Sequence, residues 1–250
     1  MAAALETDQP TINIGEFNLS NLVISTAPVI NKNTRNIGNY SDPDFQTVSK
    51  KLPTKWSAVK YSSPDGQIPV MVQTPWLISN GIEKHEQTAI AYELGLRGVI
   101  KDTMTLRFPN DRTDEQEQFA TFLEELDNWA IDLGKKNSWE WLNCSAADVE
   151  AKYKRSYKEH DGRMATISFQ ITPPNETGHN IAFFTKENNP IASDKVETYF
   201  SPKSKARCVI QCVGIAYGED MFVLRWRVHQ TMIDRYELVG SEIKYKKCML

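Results

Sequence analysis

The residues best suited to chemistry lie in Met221–Ile233, where Phe222, Leu224, Trp226 and Val228 alternate with Val223, Arg225, Arg227 and His229. Pleating sends successive side chains of a strand to opposite faces, so this pattern puts two guanidiniums and an imidazole on one face and bulky apolar groups on the other. Such a face either pairs with acids on neighbouring strands or holds an external anion. Three further runs interleave basic and aromatic residues: Lys152–Lys158, Tyr199–Arg207 and Lys244–Lys247. A phosphate backbone requires positive charge, and an unpaired base stacks on an aromatic ring or a guanidinium plane. The expected ligand is therefore a single-stranded nucleic acid. Arg225, Arg227, Lys203, Lys205 and Arg207 are the candidates for phosphate contacts, with His229 on the same strand face, and Tyr199, Phe200 and Tyr217 are the candidates for base stacking. Trp56 and Lys60, on an earlier hairpin, would line the opposite wall.

Other chemistries have little to stand on. The sequence contains no G-x-x-x-x-G-K-[S/T] phosphate loop, no G-x-G-x-x-G, no G-x-S-x-G elbow and no H-E-x-x-H. Glu124 with Glu125 falls on the outer face of an expected helix and Glu219 with Asp220 in a tight turn, so both pairs read as solvated acids. Cys144, Cys208, Cys212 and Cys248 form no C-x-x-C pair, and His85, His160, His179 and His229 are scattered singly. Neither set has a zinc spacing, and the cysteines read as reduced and structural. No catalytic residue, metal or cofactor is expected, and the function is expected to be non-enzymatic.

The chain has 250 residues, 40% of them hydrophobic and 24% charged, which suits a globular protein with one large core. No apolar run approaches the roughly 18 residues of a membrane helix, and Met1–Pro10 lacks the basic start and apolar run of a secretory leader. An intracellular setting without a membrane partner is the expectation. The net charge of -3 argues at first against a polyanionic partner. It is unevenly spread, however. Residues 150–250 carry 16 Lys and Arg against 12 Asp and Glu, whereas residues 1–149 carry 13 against 20. Residues 113–141 alone hold eight acids and two lysines, so the rest of the chain sums to +3. The acidic block is expected to point away from any nucleic acid.

The elements that must position these residues follow from periodicity. Residues 1–50 are polar and turn-rich, with short apolar runs at Leu22–Ile24 and Val29–Ile30, and read as an N-terminal arm or short edge elements. Trp56–Tyr61 and Ile68–Gln73 flank Pro64-Asp65-Gly66 as a hairpin. Glu83–Leu94 suits a short helix and Val99–Phe108 a half-solvated strand. Thr113-Asp114-Glu115-Gln116 is a capping box, after which Phe119, Phe122, Leu123, Leu126, Trp129, Ala130 and Leu133 recur at helical spacing. A second helix is expected over Ser145–Tyr157. Met164–Ile171, Ile181–Thr185 and a long hairpin of Cys208–Tyr217 with Met221–Ile233 complete the pattern. The order predicts an α+β fold, mainly antiparallel β, with a helical insertion at about 113–157. Residues 51–250 would form a single composite domain.

This segment order resembles that of the single-stranded-DNA-binding proteins of nucleocytoplasmic large DNA viruses. The likeness runs over residues ~55–236: an early hairpin (Val59–Val72), the acidic helical region (Thr113–Leu133), a strand at Ala165–Ile171, the turn Lys186–Pro190 and the closing hairpin Val209–Val228. The resemblance implies an OB-fold-like β-barrel core and a role in viral DNA replication, repair or recombination, in the host cytoplasm or nucleus, with replication proteins or further copies of the chain as possible partners. Ile243–Leu250 is basic, unlike the acidic tail with which many such proteins recruit partners. The competing expectation is a virion or replication-complex assembly protein acting through protein contacts.

Overall fold

A computed structural model describes residues 11–25, 29–30, 55–83, 102–171, 181–218 and 221–235. The helix expected at Glu83–Leu94, the basic run Lys244–Lys247 and Cys248 lie outside these, apart from Glu83 itself.

The fold is α+β and mainly antiparallel, with the helical insertion where the periodicity put it. The strands are β1 (Leu22–Ile24), β2 (Val29–Ile30), β3 (Lys55–Ser63), β4 (Gly66–Gln73), β5 (Leu77–Glu83), β6 (Asp102–Arg107), β7 (Tyr153–Lys154), β8 (Tyr157–His160), β9 (Arg163–Ile171), β10 (Ala182–Thr185), β11 (Lys205–Gly218) and β12 (Met221–Asp234). They run in the order β1-β3-β4-β11-β5-β6-β9-β8, with β12 on β11. Strand β11 is long enough to bridge distant parts of the sheet. It pairs through Lys205–Ala206 with β5, through Val209–Cys212 with β4 and through Gly214–Tyr217 with β3. Because β3 also pairs with β4, these three strands close on themselves, and the sheet curls around one core.

The β11–β12 hairpin carries two irregularities. Its ladder shifts between Cys212 and Gly214, leaving Val213 over on β11, and between Ile210 and Val209, leaving His229 over on β12. Each extra residue reverses which set of side chains faces inward. On β12, Phe222, Leu224 and Val228 are buried before the shift and Thr231 and Ile233 after it. The alternation predicted for Met221–Ile233 therefore holds through Val228 and then changes phase.

Helix α1 (Asp114–Lys136) opens with the expected capping box. Thr113 Oγ1 accepts from the Gln116 N–H at 3.3 Å, and Gln116 Oε1 accepts from the Thr113 N–H at 3.0 Å. The Gln116 amide also donates to the Trp76 carbonyl at 2.6 Å, which sets the angle at which the helix meets the sheet. Phe119, Phe122, Leu123, Leu126 and Ala130 form its buried stripe. Short helices α2 (Ser138–Leu142) and α3 (Val149–Lys152) follow. Helix α4 (Val196–Tyr199) precedes β11.

The helix expected over Ser145–Tyr157 is cut short at Lys152. Only one 3-10 turn and α3 are helical there, and the basic-aromatic run Lys152–Lys158 passes into β7 and β8. The reason is Asp127 of α1, which is fully buried. Its carboxylate accepts from the Tyr153 hydroxyl at 2.5 Å and from the backbone N–H groups of Ser156 at 2.8 Å and Tyr157 at 3.4 Å. Amides captured in this way cannot serve a helix, and Tyr153 and Tyr157 are drawn into the core. Burial raises the Asp127 pKa, and these hydrogen bonds oppose the rise.

Residues 11–25 lie against the body. Strand β1 pairs with β3, and the Phe17 ring sits 5.0 Å from that of Tyr61 and 4.9 Å from that of Phe122. Cys208 and Cys212 are free and buried, their thiols pushed up to about 12 by desolvation, so they behave as small apolar side chains. Among the described residues no helix is long and apolar enough to cross a membrane, and no three His, Cys, Asp or Glu side chains stand together as metal ligands.

Candidate nucleic-acid interface

Residues directly opposite one another on adjacent strands project to the same face. Strand registers therefore show which outward side chains are neighbours. Arg227 faces Gln211 on β11, and Arg225 faces Gly214, which in turn faces Ala58 on β3. One pleat along, Val223 faces Ala216 and Ala216 faces Trp56. Trp56, Ala58 and Lys60 are the more exposed set on β3, while Ser57, Val59 and Tyr61 are buried. The outcome is a shallow strip across three strands, roughly 10 Å wide at two interstrand spacings. Trp56 stands on one side and Arg225 and Arg227 on the other, with the small and buried residues Gly214 and Ala216 between them; Lys60, one pleat beyond Ala58, lies opposite Val23 and Pro69 instead.

Gly214 is required for this floor. A Cβ built there would lie 2.2 Å from the Ser57 carbonyl oxygen, so β3 and β11 approach more closely than any side chain allows.

The electrostatics are one-sided. Among the described residues neither Arg225 nor Arg227 joins an ion pair, whereas Arg112, Arg155 and Arg207 each hold a glutamate. Partial burial and then the charge of Arg227 lower the Arg225 pKa. The same two causes, in the same order, lower that of His229 below its ordinary 6.5. His229 Nε2 lies 2.9 Å from Gln211 Oε1, which fixes the ring against the β11 side of the strip. Trp226 points to the other face, where its indole N–H donates to Ser156 Oγ at 2.9 Å. The arrangement gathers unneutralised positive charge beside a half-buried indole and can receive an anion flanked by a flat ring.

The structure divides the other sequence candidates. Lys203 and Lys205 are exposed but lie toward β5: Lys205 pairs with Ile78, and the Lys203 N–H donates to the Ser79 carbonyl at 3.0 Å. Arg207 is a correction to the expected phosphate contact. Its guanidinium donates to both Glu115 carboxylate oxygens, at 2.9 and 3.1 Å, and lies 5.4 Å from the Trp76 ring centroid. The first turn of the acidic helix thus touches the basic hairpin instead of pointing wholly away from it. Phe200 and Tyr217 are corrections as well, being 1% and 2% exposed with no ring face left for a base. Tyr217 stacks on Trp141 with centroids 4.6 Å apart, and its hydroxyl lies 3.3 Å from Ser57 Oγ. Tyr199 is half-buried, with the Arg235 guanidinium 5.4 Å from its ring centroid.

Gly214, Ala216, Ala58 and Gln211 were not among the sequence candidates. The available signal was a glycine inside a strong strand pattern, which marks a bulge or a close backbone approach.

No protein-family profile matches the chain, and no curated protein matches it. Among solved structures it is similar to the single-stranded DNA-binding protein of bacteriophage Enc34 in complex with ssDNA, at 13% identity and a TM-score of 0.43, over 75% of this chain and 97% of that one. It is also similar to gp2.5, a single-stranded DNA-binding protein encoded by bacteriophage T7, at 11% identity and a TM-score of 0.45, over 69% of this chain and 96% of that one. Both TM-scores are below 0.5, and the strip described above stands on the registers and side chains of this chain alone.

Proposed function

We propose that the chain binds single-stranded nucleic acid, with DNA favoured, and catalyses no reaction. The observation that carries this reading is the pair Arg225 and Arg227, outward-facing and without an ion pair among the described residues, set across the small residues Gly214 and Ala216 from Trp56. The guanidiniums would take phosphates, and the indole would stack on a base. A duplex hides its base faces, so a groove that uses stacking selects the unpaired strand. The resemblance in segment order supports a role in coating strands during viral DNA replication, repair or recombination.

A salt series with a fluorescent oligothymidine tests the reading. Affinity should fall steeply with salt, the logarithmic slope being about 0.7 per phosphate contacted. Trp56→Ala should weaken binding by about 1–3 kcal/mol, the worth of one stacked base, with little change in salt slope because no charge is lost. Salt-independent binding, or an unaltered affinity in Trp56→Ala, would overturn the assignment.

His229 adds a pH dependence. Because its pKa lies below 6.5 in the free protein, the ring is neutral at pH 7. A phosphate nearby favours the imidazolium, so binding takes up a proton. Affinity at fixed salt should therefore rise as pH falls below 6.5, and His229→Gln should flatten that rise; an equal rise in both proteins would remove His229 from the site.

A further inference from the structure

A second run of positive charge crosses the sheet, joining Lys158 and Lys205, from two separate basic-aromatic runs of the sequence, with Arg107, which lies in neither. Lys205 on β11 faces Ile78 on β5, Ile78 faces Arg107 on β6, Arg107 faces Thr166 on β9, and Thr166 faces Lys158 on β8. These five residues share one face by register, and their alternates Ala206, Leu77, Leu106, Ile167 and Tyr157 are buried. The row faces outward and spans roughly 19 Å, four interstrand spacings. Its three cations stand on alternate strands, about 10 Å apart. Where it crosses β6 and β9 it opens into a groove of about 420 Å³, whose lining includes Asn80, Asn110, His160, Arg163 and Arg107. Among the described residues no carboxylate lines that groove. The Lys203 backbone N–H bonds Ser79, next to Asn80, so a third lysine borders the same side.

Two further observations make this face available to a ligand. Among the described residues Lys205, Arg107, Lys158 and Arg163 join no ion pair. Asp234, the β12 neighbour of Lys205, is held by Lys186 at 2.9 Å. Arg107 Nε is buried with no hydrogen-bond partner, a donor kept out of water. Charges spaced along a line fit a linear polyanion better than a compact one, since a single phosphate could reach only one of them. The row also lacks an aromatic side chain.

We propose that the row Lys205–Arg107–Lys158, with the groove beside Arg107, is a second track on which a single polynucleotide strand lies by its sugar-phosphate backbone alone. This rests on the reading of the chain as a single-strand binder and divides the work between two surfaces. The Trp56–Arg225–Arg227 strip holds a short segment by stacking and charge. The transverse row engages only strands long enough to extend onto it, without regard to base.

The experiment compares oligothymidines of about 6 and about 30 nucleotides, lengths either side of what one such module covers. The proteins are the full chain, its Arg107→Gln/Lys158→Gln/Lys205→Gln variant and a milder Lys158→Gln/Lys205→Gln variant. The last alters only exposed side chains and keeps the test valid if Arg107 proves necessary for folding. The triple variant should bind the long strand at least about 10-fold more weakly, with a salt slope shallower by about 2 for three lost phosphate contacts. The double variant should lower that slope by about 1.4. Both should bind the short strand as the unaltered chain does. Unchanged binding of the long strand by both variants would overturn the second track while leaving the first reading intact, and so would an equal loss on both lengths. If the unaltered chain binds neither oligothymidine, both readings fall, and an acidic polypeptide becomes the polyanion to consider.

Discussion

Arg225→Ala/Arg227→Ala is expected to lose at least about 100-fold in affinity for single strands while folding as well as the unaltered chain. Hydrogen bonds to charged groups contribute about 1.5–3 kcal/mol each, so losing two phosphate-binding guanidiniums removes about 3–6 kcal/mol. The logarithmic salt slope should become shallower by about 1.4. The stability side of this expectation is equally specific. Neither arginine has an acidic partner among the described residues that truncation would strand, and burial together with the charge of Arg227 disfavours the charge of Arg225. Removing both relieves a repulsion without exposing a buried counter-charge. Chemical denaturation and oligothymidine binding measured on one preparation decide the matter. A variant that binds normally removes the strip from the interface, and one that unfolds early makes these arginines structural.

Gly214→Ala is expected to act in the opposite way, through the fold. The added methyl would stand 2.2 Å from the Ser57 carbonyl oxygen and 3.1 Å from the Ala58 Cα, both backbone atoms that no side-chain rotation can move. Relief requires β3 to part from β11 along Lys55–Ala58, the stretch that also sets Trp56 beside the arginines. A cost of about 3 kcal/mol or more follows for overpacking against backbone, which lowers the melting temperature by roughly 6–12 °C in a chain of this size. Binding should fall even where the variant remains folded, because Trp56 loses its place. A melting temperature equal to that of the unaltered chain would mean that the two strands are not so closely apposed.

The parts of this architecture that were legible in the sequence are those whose determinants are local. The Thr113–Gln116 capping box, the stripe from Phe119 to Leu133 and the turn at Pro64-Asp65-Gly66 each declare themselves within a few residues. So does the alternation that faces Arg225 and Arg227 outward. What periodicity cannot supply is the identity of the neighbouring strand. Lys203 and Lys205 look like companions of Arg207 in sequence, but β11 runs past β5, β4 and β3 in turn, so lysines at its start belong to a different surface from Gly214. Arg207 meets a glutamate 92 residues away, and no run of residues around either one announces it. Tyr217 and Phe200 show a related limit: an aromatic residue near basic ones reads as a stacking platform, yet Trp141 and the interior claim them. The helix expected over Ser145–Tyr157 stops at Lys152 because a single carboxylate, Asp127, competes for its later amides from another element.

The extra residue at His229 gives chain length itself a meaning in this hairpin. Thr231 and Ile233 are anchored inward, and strict alternation carried back from them would send His229, Arg227 and Arg225 inward too. One surplus position turns the guanidiniums to water. A deletion of one residue there would be a far larger event than any substitution, since it would exchange the wet and dry sides of half a strand. Length variation in β12 should therefore be tolerated at its ends and selected against in its middle, where residue number is the instruction that decides which side of the sheet carries charge.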